Sequence, residues 1–423
     1  MQPPPSRRFL FVLWEGGGNV PLQLGLARGL AERGHVVRVL TEECLADDVA
    51  AAGCRFEPFE EAPNRSDRSE DLVRDWEART PLGAFSRARD RVVMGPAAAY
   101  ARDTRAALER EPVEVLACDY MLFGPPIAAE RATVRTALLV HNIYIVPERG
   151  KPAAGPGFLP ARGPLGRARD AIVNRVLISL FDRRLPSVNA ARAEQDLPPL
   201  KSAMEHFDHV QRVLVLTSES FDFHGDSHPA HLRYVGATLA DPPWIDDWRA
   251  PWPESDDRPL VVVSLSSTYM AQGPVLQRII GGLGRLEARV LVTTGPAIDP
   301  RSLRPEANTT VLQSAPHAEV FGRAAAVVTH AGMGTVTRAL AAGVPLVCMP
   351  MGRDQLDVAA RVTHAGAGLR LRPGSKPAAV RAAVERVISE PGFRASAARL
   401  GASITADAAA QRGVSELEAL AAG

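Results

Sequence analysis

Short uninterrupted apolar runs alternate along this chain with longer stretches whose apolar residues recur at helical spacing. Residues 9–14 (FLFVLW) form the first run. A glycine turn follows, then Leu22, Leu24, Leu26, Leu30 and Ala31 at a helical period, with Pro21 in the first turn and Gly34 at the stop. Residues 35–40 are the next run, and 113–117, 136–140 and 213–216 continue the series, 213–216 being predicted as the last strand of this half. Runs apolar on both faces belong to parallel sheets, and their alternation with helices predicts a doubly wound α/β domain. The same order then repeats: strands at 260–265, 289–293, 310–312, 325–328, 344–349 and 366–371, and a helix over 273–286. Residues 377–420 read as helical, with breaks near Pro391 and Gly413.

The predicted fold is therefore α/β, two Rossmann-like domains facing across a cleft. The first spans 1–235 and the second 260–400. Residues 236–259, rich in proline and carrying three tryptophans without periodicity, read as the interdomain linker. Residues 401–423 form a C-terminal helix. Residues 60–80 are charged and poor in apolar positions, which predicts a mobile loop running into a solvated helix, and the Gly- and Pro-rich stretch 151–165 predicts a second loop.

The densest chemistry lies at 327–355, VVTHAGMGTVTRALAAGVPLVCMPMGRDQ. A strand runs into a turn holding His330, Gly332 and Gly334, and a helix from about Thr335 is stopped by Gly343, which suits the left-handed position past a helix end. Bare amides and the positive dipole end at a helix N-terminus bind anions. Glycines let backbone approach a phosphate, and His330 and Thr335 add donors. The next strand delivers Asp354 and Gln355 to the same sheet edge, where a carboxylate and an amide suit a polyol.

This layout resembles the nucleotide-sugar site of GT-B glycosyltransferases, in particular the family-1, UDP-glycosyltransferase-like enzymes that glycosylate small molecules. The His-x-Gly turn, the small hydroxyl residue entering the helix, Gly-Val-Pro before the next strand and the terminal Asp-Gln carry it. The likeness spans essentially the whole chain and is strongest over 260–374. It implies that His330, Gly332, Met333, Gly334 and Thr335 hold the donor diphosphate, with Ser267 and Thr268 in support. It places Asp354 and Gln355 on the sugar hydroxyls. Ser314, Ala315, His317 and Thr294 fall at the nucleoside, although Ser314 stands where plant members stack a Trp on the base. Arg338 stands where plant members hold the ribose with a Glu, and reads here as a solvated helix residue. In that family the final helix crosses back onto the N-terminal domain, which this sequence permits.

The first turn departs from the family pattern. Members usually carry Gly-His-x-x-Pro, the His being the general base, and alignment on Pro21 puts Gly18 at that position. The base is then Asp119, which orients the His in relatives, or Glu15, or His141, or the acceptor is acidic enough to need little help. Asp119 is favoured. Asn19, His141 and Tyr144 are expected in the acceptor pocket, with the loops 60–80 and 147–170 around it.

Composition narrows the remainder. At 423 residues the chain exceeds one ordinary core. With 46% apolar and 23% charged residues and a net charge of +1 it offers no electrostatic case for nucleic acid. Cys44, Cys54, Cys118 and Cys348 show neither CxxC nor zinc spacing and read as thiols of a reducing cytoplasm. Residues 221–231 gather histidines and aromatics, but without convincing metal spacing. No run reaches the ~20 apolar residues of a membrane helix. Abundant Ala, Arg, Gly and Pro against little Lys point to a GC-rich bacterial genome. The resulting expectation is a cytoplasmic, inverting glycosyltransferase of natural-product metabolism. It takes a hexose or deoxyhexose from a UDP- or dTDP-sugar to a small hydrophobic aglycone, without cofactor or metal, as monomer or homodimer. Two other readings fit the same plan, a sugar-nucleotide 2-epimerase and a non-catalytic activator protein.

Overall fold

The computed structural model describes residues 6–68, 70–239, 249–253, 255–266 and 268–423. Strands β1 (Arg8–Val12), β2 (Val36–Thr41), β3 (Arg55–Pro58), β4 (Val115–Asp119), β5 (Arg135–Val140), β6 (Arg212–Val215) and β7 (Leu232–Tyr234) form one sheet in the order β3-β2-β1-β4-β5-β6-β7. Strands β8 (Leu260–Ser264), β9 (Arg289–Thr293), β10 (Thr309–Leu312), β11 (Ala324–Thr329), β12 (Leu346–Cys348) and β13 (Gly368–Arg370) form a second, in the order β10-β9-β8-β11-β12-β13. All pairings are parallel. Strand order reverses between β1 and β4 and between β8 and β11, and ligands of open α/β sheets bind in the crevices at such reversals.

Both faces of each sheet are covered. Phe9 and Phe11 of β1 pack on one side with Leu26 and Leu30, while Leu10 and Val12 pack on the other with Tyr100 and Leu116. The helix Asn19–Glu32 starts two residues ahead of Pro21 and stops at Gly34, whose φ of 86° is left-handed.

Several elements differ from the pattern reading. A short strand, β7, follows β6, which is therefore not the last of its sheet; Arg233 in its middle hides any apolar run. The expected loop over 151–165 ends early, because Pro164 opens a helix to Asp182, and a second helix, Leu185–Ala193, follows. Residues 60–80 are tied down. Asp103 accepts from the amides of Glu60, Glu61 and Ala62 at 2.9–3.1 Å, Arg65 forms a buried ion pair with Glu42, and Thr80 caps the helix Pro81–Ala88.

The tail forms helices Pro377–Ser389, Pro391–Ala409 and Arg412–Ala422. The second break falls at Gln411, with φ 45°, rather than at Gly413. Gly413 is instead a contact point, since a Cβ there would lie 2.6 Å from Leu26. The last helix buries Val414, Leu417 and Leu420 in the core of the first domain, and Arg33 bonds Glu418 at 2.6 Å. Of the linker, Ala237 joins the first core, while Leu239 and Trp252 pack on the second. Trp244, Trp248 and Asp246–Asp247 lie outside the described residues. Among the described residues no helix is long and apolar enough to cross a membrane. The four cysteines are free, with Cys118 and Cys348 buried.

One ion pair joins the domains in the interior. Asp222 and Arg361 are 2.6 Å apart, with side chains 0% and 4% exposed. Removing one partner of such a pair strands a buried charge, so Arg361→Ala should cost about 3–5 kcal/mol in denaturant unfolding. Asp222→Asn in the same background should recover part of that loss.

Candidate active site

Asp119 is the last residue of β4 and is fully buried. Its Oδ2 accepts from Asn19 Nδ2 at 3.1 Å and Gln23 Nε2 at 2.5 Å, and lies 3.0 Å from His141 Nδ1, while Oδ1 accepts the Met121 amide at 2.9 Å. Burial pushes the carboxyl up, but His141 and these donors outweigh it and hold Asp119 below the usual range. An ionised Asp119 fixes Nδ1–H on His141, which leaves Nε2 as the basic nitrogen. His141 follows β5, the strand beside β4, and its side chain is 14% exposed. Asp119 thus has no solvent contact and is held by Asn19, Gln23, His141 and the Met121 amide, the position of a carboxylate that orients an imidazole rather than one open to an acceptor.

The other expected residues of this half have different places. Glu15 takes the Gly17 amide at 2.6 Å and Arg68 at 3.3 Å, so it ties the first turn to the 60–80 loop. Gly18 precedes the helix Asn19–Glu32, and a Cβ there meets nothing within 4 Å. Asn19 is buried and both ends of its amide are spent, on Asp119, Trp14 O and the Gly16 amide. Tyr144 is 1% exposed and packs in the core with Phe207, so it is not a pocket wall. Gln23, missed in the sequence, sits one turn after Asn19 on the same helix face, a spacing that could have revealed it.

In the second domain β11 ends at Thr329, and the helix Met333–Ala341 begins after Gly332 with no side-chain cap. The amides at Met333, Gly334 and Thr335 thus open the helix unpaired by any cap, the geometry of an anion site. Ala331 has φ 70° and turns the chain so that His330 folds against Gly332, where a Cβ would lie 2.4 Å from His330 Nε2. Burial depresses His330 to about 4, so it is a neutral donor or acceptor. Ser266 and Thr268 bond each other at 3.0 Å, an ST-turn, and Thr268 also receives Arg353 at 2.9 Å. Ser267 lies outside the described residues. His317 is stacked on Phe321 at 4.5 Å and held neutral by burial, at about 4. Thr294 is buried and donates to the Gly295 carbonyl, Ser314 is exposed, and Ala315 is buried. Arg338 is not merely solvated: its Nε reaches the linker carbonyl of Leu239 at 3.3 Å.

The two halves meet at Asp354, which precedes the helix Gln355–His364. Burial pushes its carboxyl up, against a favourable field from His141 and a side-chain bond from Asn142. His141 of one domain and Asp354 of the other thus share one electrostatic environment. Gln355 is largely spent on structure, its Oε1 accepting the Met351 and Gly352 amides at 2.7 and 3.1 Å. Arg353, φ 55°, bonds Asp75 at 2.8 Å across the cleft, while Trp76 packs edge-on against Tyr269 at 5.1 Å. Gly155 and Gly157 of the second loop donate to Asp357 at 2.5 and 2.8 Å. Both expected acceptor loops are therefore docked on the second domain. Asn142 and Arg353 each adjoin a residue singled out by sequence, which was the available signal for them.

A family model, the C-terminal domain of erythromycin biosynthesis protein CIII-like proteins, matches residues 277–420. The chain is 31% identical over 405 residues to 4'-demethylrebeccamycin synthase of Lentzea aerocolonigenes, covering 93% of this chain and 94% of that protein. It is 30% identical over 244 residues to O-mycaminosyltylonolide 6-deoxyallosyltransferase of Streptomyces fradiae, covering 55% and 54%. Among solved structures, the glycotransferase of kitacinnamycin superposes with a TM-score of 0.78 at 21% identity over 99% of both chains. CalG4, the calicheamicin glycosyltransferase, superposes at 0.71 with 24% identity over 99% and 98%.

The crowding of His330 against Gly332 makes a direct test of the anion site. Gly332→Ala should displace the imidazole and weaken UDP or dTDP binding at least about tenfold by calorimetry, a loss of ~1.4 kcal/mol. The melting temperature should change little.

Proposed function

We propose, for a chain that belongs to the family-1 natural-product glycosyltransferases, that the sugar it moves is a hexose or deoxyhexose carried by UDP or dTDP. A hydroxyl of a small apolar aglycone receives it, with inversion. The observation that carries this reading is the Asp119–His141 pair facing Asp354 across the cleft. His141 Nε2 takes the acceptor proton as the hydroxyl oxygen attacks the anomeric carbon. The bond from that carbon to the diphosphate oxygen breaks on the opposite side, which inverts the centre. The departing diphosphate gathers charge at the amides of Met333, Gly334 and Thr335, beside His330 and Arg353. Asp354 accepts from sugar hydroxyls, which replace its bond from Asn142. This scheme needs no metal. A positioned base also argues against a non-catalytic activator, and an acceptor-side base argues against an epimerase, which has no acceptor.

The base assignment is checked by kinetics with any accepted aglycone. His141→Asn should lower kcat about 10²–10⁴-fold while nucleotide affinity stays unchanged. Asp119→Asn should lower it at least about tenfold, by leaving the imidazole unoriented. Because the space at Gly18 is open, Gly18→His in the His141→Asn background should restore part of the rate. Full turnover in His141→Asn would move the base elsewhere. Asp354→Ala should abolish transfer while UDP or dTDP still binds, and full activity with every donor would remove it from the sugar site.

A further inference from the structure

We infer that Glu219, His224 and His228 form a binding site for a first-row divalent cation of the zinc type, outside the catalytic cleft. One ligand atom from each lies within 4.8 Å of the others. His224 Nδ1 and His228 Nε2 point at each other at 3.0 Å, close to the separation of two nitrogens on one metal ion. The pattern of residues 221–231 does not announce this, since beyond the short 3-10 turn Glu219–Phe221 the segment is neither helix nor strand and spacing along it says nothing about which groups converge.

A second observation separates this cluster from a chance pair of surface histidines. Glu148, on a different loop and with its side chain only 7% exposed, places Oε1 3.1 Å from His228 Nδ1. Its Oε2 accepts the Gly225 amide at 3.2 Å, so it is held in place. A carboxylate on Nδ1–H fixes the tautomer with the lone pair on Nε2, the nitrogen that faces His224. Carboxylate–histidine–metal arrangements are built this way, and the carboxylate raises the basicity of the ligand. Two imidazoles and a carboxylate select zinc, cobalt or nickel over magnesium and calcium, which take all-oxygen sets. The three ligands are exposed, so an ion has an entry path, and Glu219 and His228 also line a cavity of about 390 Å³ that leaves room for a water or substrate-like fourth ligand.

The place of the cluster gives the ion a structural task. Between Glu219 and His224 lies Asp222, the partner of Arg361 in the second domain. Beyond Glu148 lies the loop that docks Gly155 and Gly157 on Asp357. A bound cation would stiffen the segment that anchors the domain junction and, through Glu148, the loop beside the cleft.

The test uses the full chain without a histidine tag, stripped with chelator. Titration with Co²⁺ should give one equivalent of micromolar or tighter binding, with visible absorption of a four- or five-coordinate ion. Zn²⁺ should displace it, Mg²⁺ should not, and Zn²⁺ should raise the melting temperature by several degrees. The double variant His224→Ala, His228→Ala should lose the site, with an unaltered melting temperature in chelator showing that it folds. Glu148→Gln should weaken binding about 10–100-fold. Absence of saturable Co²⁺ binding, or equal affinity in the double variant, would overturn the assignment.

Discussion

The buried ion pair between Asp222 and Arg361 sets the distance on which the whole site depends. Arg361 sits on the helix whose first turn follows Asp354, and Asp222 also accepts the Tyr144 amide at 3.0 Å, three residues past His141. One carboxylate therefore ties the strand end that carries His141 to the helix that follows Asp354. Burial pushes Asp222 up, yet Arg361 and Lys151 outweigh it and keep it charged. A charged pair without water tolerates little displacement, because each partner has nowhere else to find compensation. Transfer between two bound substrates needs their reacting atoms held within a fraction of an ångström of a productive approach, which a rigid junction supplies.

The proposed base position at His141 rests on sheet order. Asp119 ends β4, the strand between β1 and β5. The turn after β1 carries Gly18, and the residue after β5 is His141. A carboxylate on the central strand can orient an imidazole arriving from either neighbour, so the pair survives exchange of one donor strand for the other. Asn19 and Gln23 donate to Asp119 from the helix after β1, while His141 above all, with Gln23 and the Met121 amide, keeps Asp119 ionised.

Sequence pattern recovered all six strands of the second sheet and five of the seven of the first, since most of them are uninterrupted apolar runs. It missed β7 and the helix Pro164–Asp182, and also β3, where Arg55 and Glu57 break any apolar run. The first is three residues long, and the second opens on a proline within a Gly-rich stretch that reads as loop and leaves Leu165, Ile172 and Val176 exposed. The candidate nucleotide side was legible as a unit because glycines, a helix start and Asp354 fall within one continuous segment. The acceptor side was not. His141 stood among the alternatives, but pairing it with Asp119 requires knowing that β4 and β5 are neighbours. Asn19 and Tyr144 were misplaced for a related reason: adjacency to a site in sequence says nothing about which way a side chain points.

In the proposed reaction the leaving group poses an electrostatic problem that the His330 turn would answer without a full charge on its histidine. With His330 depressed to about 4, the imidazole is neutral at any pH where the enzyme would work, so it can bond a phosphate oxygen but cannot neutralise it. The uncapped helix start contributes partial positive charge. A formal charge comes from Arg353, whose field reaches His330 and whose guanidinium already bonds Thr268 and the carboxylates of Asp75 and Asp71. An incoming diphosphate therefore competes with two carboxylates for that guanidinium. The φ of 55° at Arg353 is a strained conformation for a non-glycine residue, sustained only where surrounding contacts impose it. Those contacts include Asp71 and Asp75 of the 60–80 loop, so the one side chain that would meet the leaving group in the proposed reaction also holds that loop on the second domain.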